Sequence, residues 1–533
     1  MGRIYHEASN VVIWLGSDTP NHTIASAFSI LTSVKQLCGR FGWDVDLMQL
    51  ARYRVLEDYG LPDVVDESWK SIRDLVERPW FSRTWIIQEV VLAQRAYLHC
   101  DDSSIPFADF CVGLTYLSLT AMLRRPDMIP SVSAYVQATQ LIMSYHKAGG
   151  LNRDIDLLAL LENHRVARAS DARDKVYGFL GLYELATGRQ HTISADYHRT
   201  AAEVFIEAAK EIIHHSDTLD ILGVPRQDPQ HRMIGLPSWV PDWSAYEFGS
   251  SLSLRAPDGT YMFNFDASRV VRATKAVTIR GNTLGLNGYC FDEVAKVGNV
   301  MDPHLHQDGP DHLRIVPGSM ALHVLATIIS WFKLAGAFSS ESYPTGEDRF
   351  DAVVRTIFLG HFIGGNSREV TTRFFRQLLV PLYALSNSGS EDSAPSLGWR
   401  LSIQFWSVVG RMFGPRFIDA IARFIRWGEL KMQWYGYLSL EQPQTKTRHD
   451  DYLATGIARV MYRRMFYTNL GYIGVGPRIL EEGDKIILVE GSRVPLVLRL
   501  QVNGWELIGD CYMHGIMQGE AFDITKCNQI III

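Results

Sequence analysis

The chain has no large surplus of charge of one sign, no closely spaced cysteines and no long wholly apolar run. Each absence removes a class of function. The net charge is −6, so no overall basic field draws the protein to nucleic acid or acidic lipid. Cys38, Cys100, Cys111, Cys290, Cys511 and Cys527 are scattered without a CxxC pair or zinc-ligand spacing. That pattern predicts reduced thiols, a cytoplasmic location and no metal site. The most apolar long window, Met320–Phe338, contains His323 and Lys333. A membrane span needs about 20 apolar residues, so a buried helix is expected instead. The first residues do not read as a signal peptide, and Met1-Gly2 matches a myristoylation start only until His6 stands where Ser or Thr is needed. Asn21-His22-Thr23 fits a glycosylation sequon but carries no meaning in a cytoplasmic chain. What remains is ordinary globular composition, 47% hydrophobic and 21% charged, enough for two or three cores.

The densest chemistry lies at Arg78–Ala93, Arg-Pro-Trp-Phe-Ser-Arg-Thr-Trp-Ile-Ile-Gln-Glu-Val-Val-Leu-Ala. Ser82 is a candidate N-cap, with helix following it. Trp85, Gln88, Glu89 and Leu92 recur at spacings of three and four, which places them on one helix face. A carboxylate among such groups is either paired with a cation, here Arg78, Arg83 or Arg95, or held for chemistry. A lone Glu on an apolar face is more often paired than catalytic.

Residues 2–10 read as the end of a helix. Val11–Gly16 follows as a short, wholly apolar strand of the kind buried on both faces in a parallel α/β sheet. The loop from Ser17 lies at that strand's carboxyl end, where α/β sheets place ligands. Thr23–Arg40, Phe107–Leu123, Ile155–Arg168 and Ala201–His215 read as helices, and Ala96–Cys100 as a strand. In Ser170–Leu182 a capping residue precedes a charged first turn, and Asp171, Arg173, Asp174, Lys175 and Tyr177 are expected to be structural, through ion pairing. Leu236–Ser244 is extended and broken twice by proline, with Trp239 and Trp243 as anchors. From Tyr261 the period drops to two, as in β structure, and Met320–Leu440 returns to helical periodicity around a Ser386–Ser396 loop. The end is β-rich: Lys485–Glu490 and Val494–Val502 are strands, and Asn503-Gly504 turns a hairpin into Trp505–Asp510. Gly471, Gly474 and Gly476 are not followed by a helix, which argues against a phosphate loop. His514 is a lone histidine with a structural role expected. The boundaries read from these shifts are 1–185, 186–250, 251–300, 301–450 and 451–533.

Several of these segments together resemble fungal heterokaryon incompatibility (HET) domain proteins. They are Ile4-Tyr5, Ala8 and Val11–Gly16; Pro79–Val90; and Asp171–Gly178, joined by Leu236–Ser244 and by Gly471–Glu520 with its His514-Gly515-Ile516-Met517. The family's domain opens with two strands that are not encoded here. The resemblance therefore implies an N-terminally truncated chain, or a degenerate, non-functional copy. It implies a cytoplasmic protein of vegetative incompatibility, in which non-self recognition leads to programmed cell death. Its partners would be a second copy of itself or another incompatibility protein, with no nucleic acid and no transmembrane segment. HET domains are distantly similar to TIR domains, some of which cleave NAD with a Glu four residues after a Trp. By that resemblance Glu89, four after Trp85, is the candidate catalytic carboxylate of an NAD glycohydrolase, and NAD its possible substrate. Trp14, Gly16, Ser17, Trp80, Arg83 and Trp85 are the candidate pocket. The fold implied is an incomplete TIR- or Rossmann-like parallel sheet with helices, followed by an α+β region with a β-rich end.

Overall fold

The structure is a computed structural model. It describes residues 2–19, 23–42, 55–63, 65–119, 156–188, 191–225, 231–245, 263–269, 277–302, 317–361 and 459–533, with short stretches between these. The Ser386–Ser396 loop, the start of the sequon and most of the helical stretch expected over 301–450 lie outside the described residues. The chain divides into two compact units: residues 1–211 with 243–246 and 255–260, and residues 212–242, 247–254 and 261–533.

The first unit opens with helix α1 (Gly2–Glu7) and strand β1 (Val11–Trp14). Helix α2 (Thr23–Phe41) turns Ile24, Ala27, Phe28, Leu31 and Val34 inward at spacings of three and four. Then come α3 (Lys70–Val76), α4 (Ile86–Val91), β2 (Ala96–Cys100), β3 (Ser103–Pro106) and α5 (Phe107–Leu119). A Cβ on Gly113 would stand 2.8 Å from the Leu31 carbonyl oxygen, so glycine sets how closely α5 approaches α2. Helix α6 (Leu157–Asn163) stops five residues short of the expected Arg168, because Arg168 is drawn into a β-bridge with Arg83. Helices α7 (Asp174–Thr187) and α8 (Ala201–His215) complete the unit, whose boundary falls in the last turn of α8.

The sheet of this unit has the order β1-β2-β3. β1 runs parallel to β2, with Val11 opposite Ala96 and Trp14 opposite His99, and β3 is antiparallel to β2. Two expectations need correction. The pairing is mixed rather than wholly parallel. The strand is also not buried on both faces: Val11, Ile13 and Leu15 point inward, while Val12 is 63% and Trp14 57% exposed. A continuous apolar run cannot reveal that only one face of its sheet is covered.

The second unit is dominated by β structure. Strand β4 (Thr278–Arg280) leads into the long β5 (Thr283–Val300). Helices α9 (Pro317–Leu334) and α10 (Arg349–Ile357) follow; the Asp348 carboxylate caps α10 by accepting from the Asp351 N–H at 3.0 Å. The end of the chain holds β6 (Arg463–Thr468), β7 (Ile473–Pro477), β8 (Lys485–Val489), β9 (Leu496–Gln501), β10 (Gly504–Asp510), β11 (Tyr512–Met513) and β12 (Asn528–Ile532).

Five of these strands close on themselves. The first half of β5 pairs with β12, β12 lies parallel to β10, β10 pairs with β9, β9 with β8, and β8 returns to Gly288–Glu293 of β5. Closure removes the open edges that a flat sheet of this composition would expose. The second half of β5 carries an antiparallel extension through β6 and β7 to β11. Ile486, Leu488, Val497 and Ile508 fill the interior with Phe466 and Met513. Trp331, Phe332 and Phe350 of the helices form a second core with Met465 and Val475. Strand β12, which periodicity alone does not assign, is fastened at its end: the Ile533 carbonyl accepts from the Ser238 N–H at 2.9 Å and also from its hydroxyl. In the same unit Trp239 is fully buried and donates to the Asn282 carbonyl at 2.8 Å.

Candidate functional site

Arg78–Ala93 does not run as one helix. Pro79–Ser82 is a 3-10 turn with proline in its first position, and the Ser82 hydroxyl donates to the Pro79 carbonyl at 2.8 Å instead of capping a helix. The chain then makes a bridge: the Thr84 N–H donates to the Arg168 carbonyl at 2.9 Å, and the Arg168 N–H to Ser82. Only after this does α4 begin, six residues long, with Ile86, Ile87, Val90 and Val91 buried. Competition from the bridge backbone explains the later start.

Gln88 is the buried polar side chain of α4. Its amide nitrogen donates to the Gly178 carbonyl of α7, and its oxygen has no hydrogen-bond partner. Glycines make the approach possible. A Cβ on Gly178 would stand 2.9 Å from Thr84 Cγ2, and one on Gly181 3.3 Å from Gln88 Oε1. The spacing of the two glycines in Tyr-Gly-Phe-Leu-Gly is the signal by which the sequence announces this contact.

Glu89 is half-buried and hydrogen bonds to the Tyr5 hydroxyl of α1. Burial, then the Glu89 charge, holds the Tyr5 hydroxyl above its ordinary pKa, against the opposing field of Arg83. The bonded partner is thus a phenol, not one of the three arginines proposed for it. Arg78 is engaged elsewhere. Its guanidinium donates to the Ser17 carbonyl at 2.9 Å and to Leu15 at 3.4 Å, and lies 4.0 Å from the Asp18 carboxylate.

Asp18 shapes the carboxyl end of β1. Gly16 turns the chain there at φ +88°, and the Asp18 carboxylate accepts the Thr19 N–H at 2.7 Å, Ile24 at 2.9 Å and Ala25 at 3.0 Å. Burial raises its pKa, but those N–H groups and Arg78 outweigh it and hold the carboxyl below its ordinary value. The amino terminus of α2, a natural anion seat, is therefore filled by the protein's own carboxylate. Asp101 closes the turn by accepting the Asp18 N–H at 2.7 Å.

The candidate residues fall into three places. Gly16 and Ser17 gather with Arg78, Asp18 and Asp101 at the carboxyl end of β1. Glu89 sits with Tyr5, whose helix precedes the opposite end of that strand, which is about 13 Å long. Trp80 is in the core, edge-on to Phe81 at 5.0 Å; Trp85 is half-buried; Trp14 and Arg83 are exposed. Periodicity places Gln88 on one helix face with Glu89 but assigns it no contact, and nothing in the sequence singles out Asp18. Asp18 stands five residues before α2, too far for the local pattern of a capping residue, so only the fold of the intervening loop brings it to the helix N–H groups.

Comparison with known proteins gives a family at both ends of the chain. Residues 1–89 match the family described as heterokaryon incompatibility protein (HET), and residues 435–533 match the Het-6 beta-barrel domain. The whole chain aligns with "Heterokaryon incompatibility protein 6, OR allele" of Neurospora crassa at 24% identity over 594 aligned residues, 99% of this chain and 78% of that protein. This chain is a HET domain protein. No solved structure matches it.

The HET match takes in α1, β1, α2 and α3 and ends on Glu89, within α4. The barrel match begins before β6, yet the closed ring needs β5, more than a hundred residues upstream of the matched segment. In this HET protein the charged turn before α7 pins a following loop. Asp171 and Arg173 pair side-on, with Arg173 Nε 2.8 Å from Asp171 Oδ1, and Arg173 also donates to the Arg199 carbonyl at 2.7 Å. The Tyr197 hydroxyl donates to Asp174 at 2.7 Å, and the Tyr177 hydroxyl to the Asp196 carbonyl at 2.9 Å. Lys175 is buried and donates to the Arg165 carbonyl at 2.7 Å and to that of Ala167. The fully buried Trp243 indole of this unit donates to Glu162 at 2.8 Å.

In the barrel unit His514 is buried. Its Nε2 lies 2.7 Å from Glu347 Oε1 and its Nδ1 3.0 Å from the Tyr512 hydroxyl. Among the described residues no group of His, Cys, Asp and Glu is arranged to hold a metal ion, and no helix is long and apolar enough to cross a membrane.

Proposed function

We propose that this protein acts in fungal vegetative incompatibility: recognition of an unlike partner leads to growth arrest and programmed cell death. The observation that carries this reading is the pair of matches, HET at one end and the Het-6 barrel at the other, within an end-to-end alignment to a protein named for incompatibility. We take the protein to act in the cytoplasm through protein contacts, with a second copy or with another incompatibility protein. The parallel pairing of β1 with β2 supports reading the N-terminal unit as a TIR-like half-sheet. Expression in a fungal host, followed by fusion with a strain lacking the gene, tests the proposal. The expected result is arrested or dying fusion cells. Fusions that grow as well as controls, with the protein present at normal level, would overturn it.

A further inference from the structure

β1 is an edge strand of an unusual kind. Its free side has no partner among the described residues, since β2 occupies the other. Soluble proteins protect such an edge with lysine, proline, a bulge or a covering segment. Val11-Val12-Ile13-Trp14 contains no charge and no proline, and it pairs with β2 in unbroken register. The N–H groups of Val11 and Leu15 point to β2, bonding Arg95 and His99 carbonyls at 2.8 and 2.9 Å. By the alternation of a parallel ladder, the N–H and C=O groups of Val12 and Trp14 point to the open side. The same two residues carry the exposed apolar side chains of the strand.

The surrounding charges are polarised along the strand. Before β1 and β2 stand exposed Arg3, His6 and Arg95, against a single Glu7. After them stand exposed Asp101 and Asp102, while Arg78 is tied to backbone carbonyls. A strand docking parallel would set like ends together, whereas one docking antiparallel sets the basic end against the acidic end.

We propose that the open edge of β1 pairs antiparallel with β1 of a second copy of this chain, about a two-fold axis between the two Ile13 residues. In that register Val12 of one copy and Trp14 of the other form a hydrogen-bonded pair, and symmetry repeats it, so all the outward backbone groups of both residues are satisfied. Each pair also sets a branched side chain beside an indole on the exposed face. The two three-stranded sheets become one of six. The inference rests on the proposed action through self-association and names its surface.

Sedimentation or light scattering of the full chain over a concentration series tests it. Wild type should dimerise, and Trp14→Lys should raise the dimer dissociation constant about tenfold or more, because two symmetric pairs are lost at once. Trp14 is exposed, so its melting temperature should not change. A second pair of variants removes dependence on one residue. Arg3→Glu with Arg95→Glu makes both ends acidic, and Asp102→Lys offsets Asp101 and leaves the acidic end neutral; each alone should dimerise less than wild type, and their equimolar mixture should dimerise more than either parent, because it regains one attractive end-to-end contact. Amide exchange at Val12 and Trp14 should slow as protein concentration rises. Four results would each overturn the proposal: a monomer at every concentration; dimers indifferent to Trp14→Lys; a mixture no better than its parents; or exchange protection independent of concentration, which would mean that another segment covers the edge. A monomeric wild type that still arrests growth would sink this inference alone. A dimer that arrests nothing would sink the functional reading alone.

Discussion

Gly178→Ala is the most informative single change in the N-terminal unit, because two effects of known sign oppose each other there. In the interior of α7, alanine favours the helix over glycine by about 1 kcal/mol. The new Cβ, however, would stand 2.9 Å from Thr84 Cγ2, closer than side chains tolerate. Thr84 has little room to give, since it is fully buried and its N–H and hydroxyl both bond the Arg168 carbonyl. Overpacking of this kind costs about 1–3 kcal/mol, and a retreat of α7 would stretch the bond from Gln88 to the Gly178 carbonyl, worth about 1 kcal/mol more. The net expectation is destabilisation by about 1–3 kcal/mol, a fall in melting temperature of roughly 2–12 °C for a unit of this size. Thr84→Ser removes the obstructing methyl and keeps the hydroxyl. In that background Gly178→Ala should stabilise, by up to about 1 kcal/mol. Thermal melts of the four proteins in a double-mutant cycle measure the coupling. If Gly178→Ala stabilises the parent, or the two changes simply add, the close approach of α4 and α7 is not what glycine is there to permit.

Three further outcomes follow from the same geometry. Arg463 and Asp510 are an ion pair with side chains only 6% and 3% exposed, 2.6 Å apart, and Asp510 also accepts the Leu252 N–H at 2.6 Å; Asp510→Asn should cost about 3–5 kcal/mol in urea unfolding, and a loss under about 1 kcal/mol would show the pair to be dispensable. Burial raises the pKa of Glu347, but its bonds from His514 and Thr345 and the charge of Arg355 prevail and bring it down to about 2. Between that value and its ordinary one near 4.5 the unfolded chain binds the proton more readily, so the contribution of Glu347 is complete above about pH 5 and disappears as pH falls through about 2. The melting-temperature gap between wild type and Glu347→Gln should therefore narrow from pH 6 to pH 3, and a gap that widens would contradict the assignment. Glu89→Gln loosens α1 through Tyr5 and should lower the melting temperature by the equivalent of about 1 kcal/mol. Nicotinamide release from NAD by wild type, lost in Glu89→Gln with the melt unchanged, would instead make Glu89 a catalytic carboxylate.

How much the sequence discloses depends on the range of the interaction. Ala201–His215 and Ala96–Cys100 emerge with the boundaries that periodicity predicts, because each is decided within a few residues. The Asn503-Gly504 hairpin forms where it is expected but one residue out of step: Gly504 pairs with Gln501, and Val502 and Asn503 make the turn. Arg78–Ala93 was misjudged because its break into a turn, a bridge and a short helix depends on Arg168, more than eighty residues away. The exposure of Val12 and Trp14 was hidden for a similar reason: a strand's composition does not say how many of its faces are covered. The barrel is legible in β8, β9 and β10 but not as a ring, since closure needs the long β5 and the terminal β12, which periodicity does not assign, to meet the strands between them. His514 was read as structural from its isolation, and its bonds to Glu347 and Tyr512 join residues 165 or more positions apart with near neighbours.

Incompatibility is the central claim, and fusion of fungal cells tests it most directly. Hyphae expressing the full chain are fused with hyphae of the same background lacking it, and viability is followed by dye exclusion in the fused compartments. The account predicts rapid death of those compartments, with self-fusions of the expressing strain surviving. Equal survival in both kinds of fusion, with the protein folded and abundant, would contradict it.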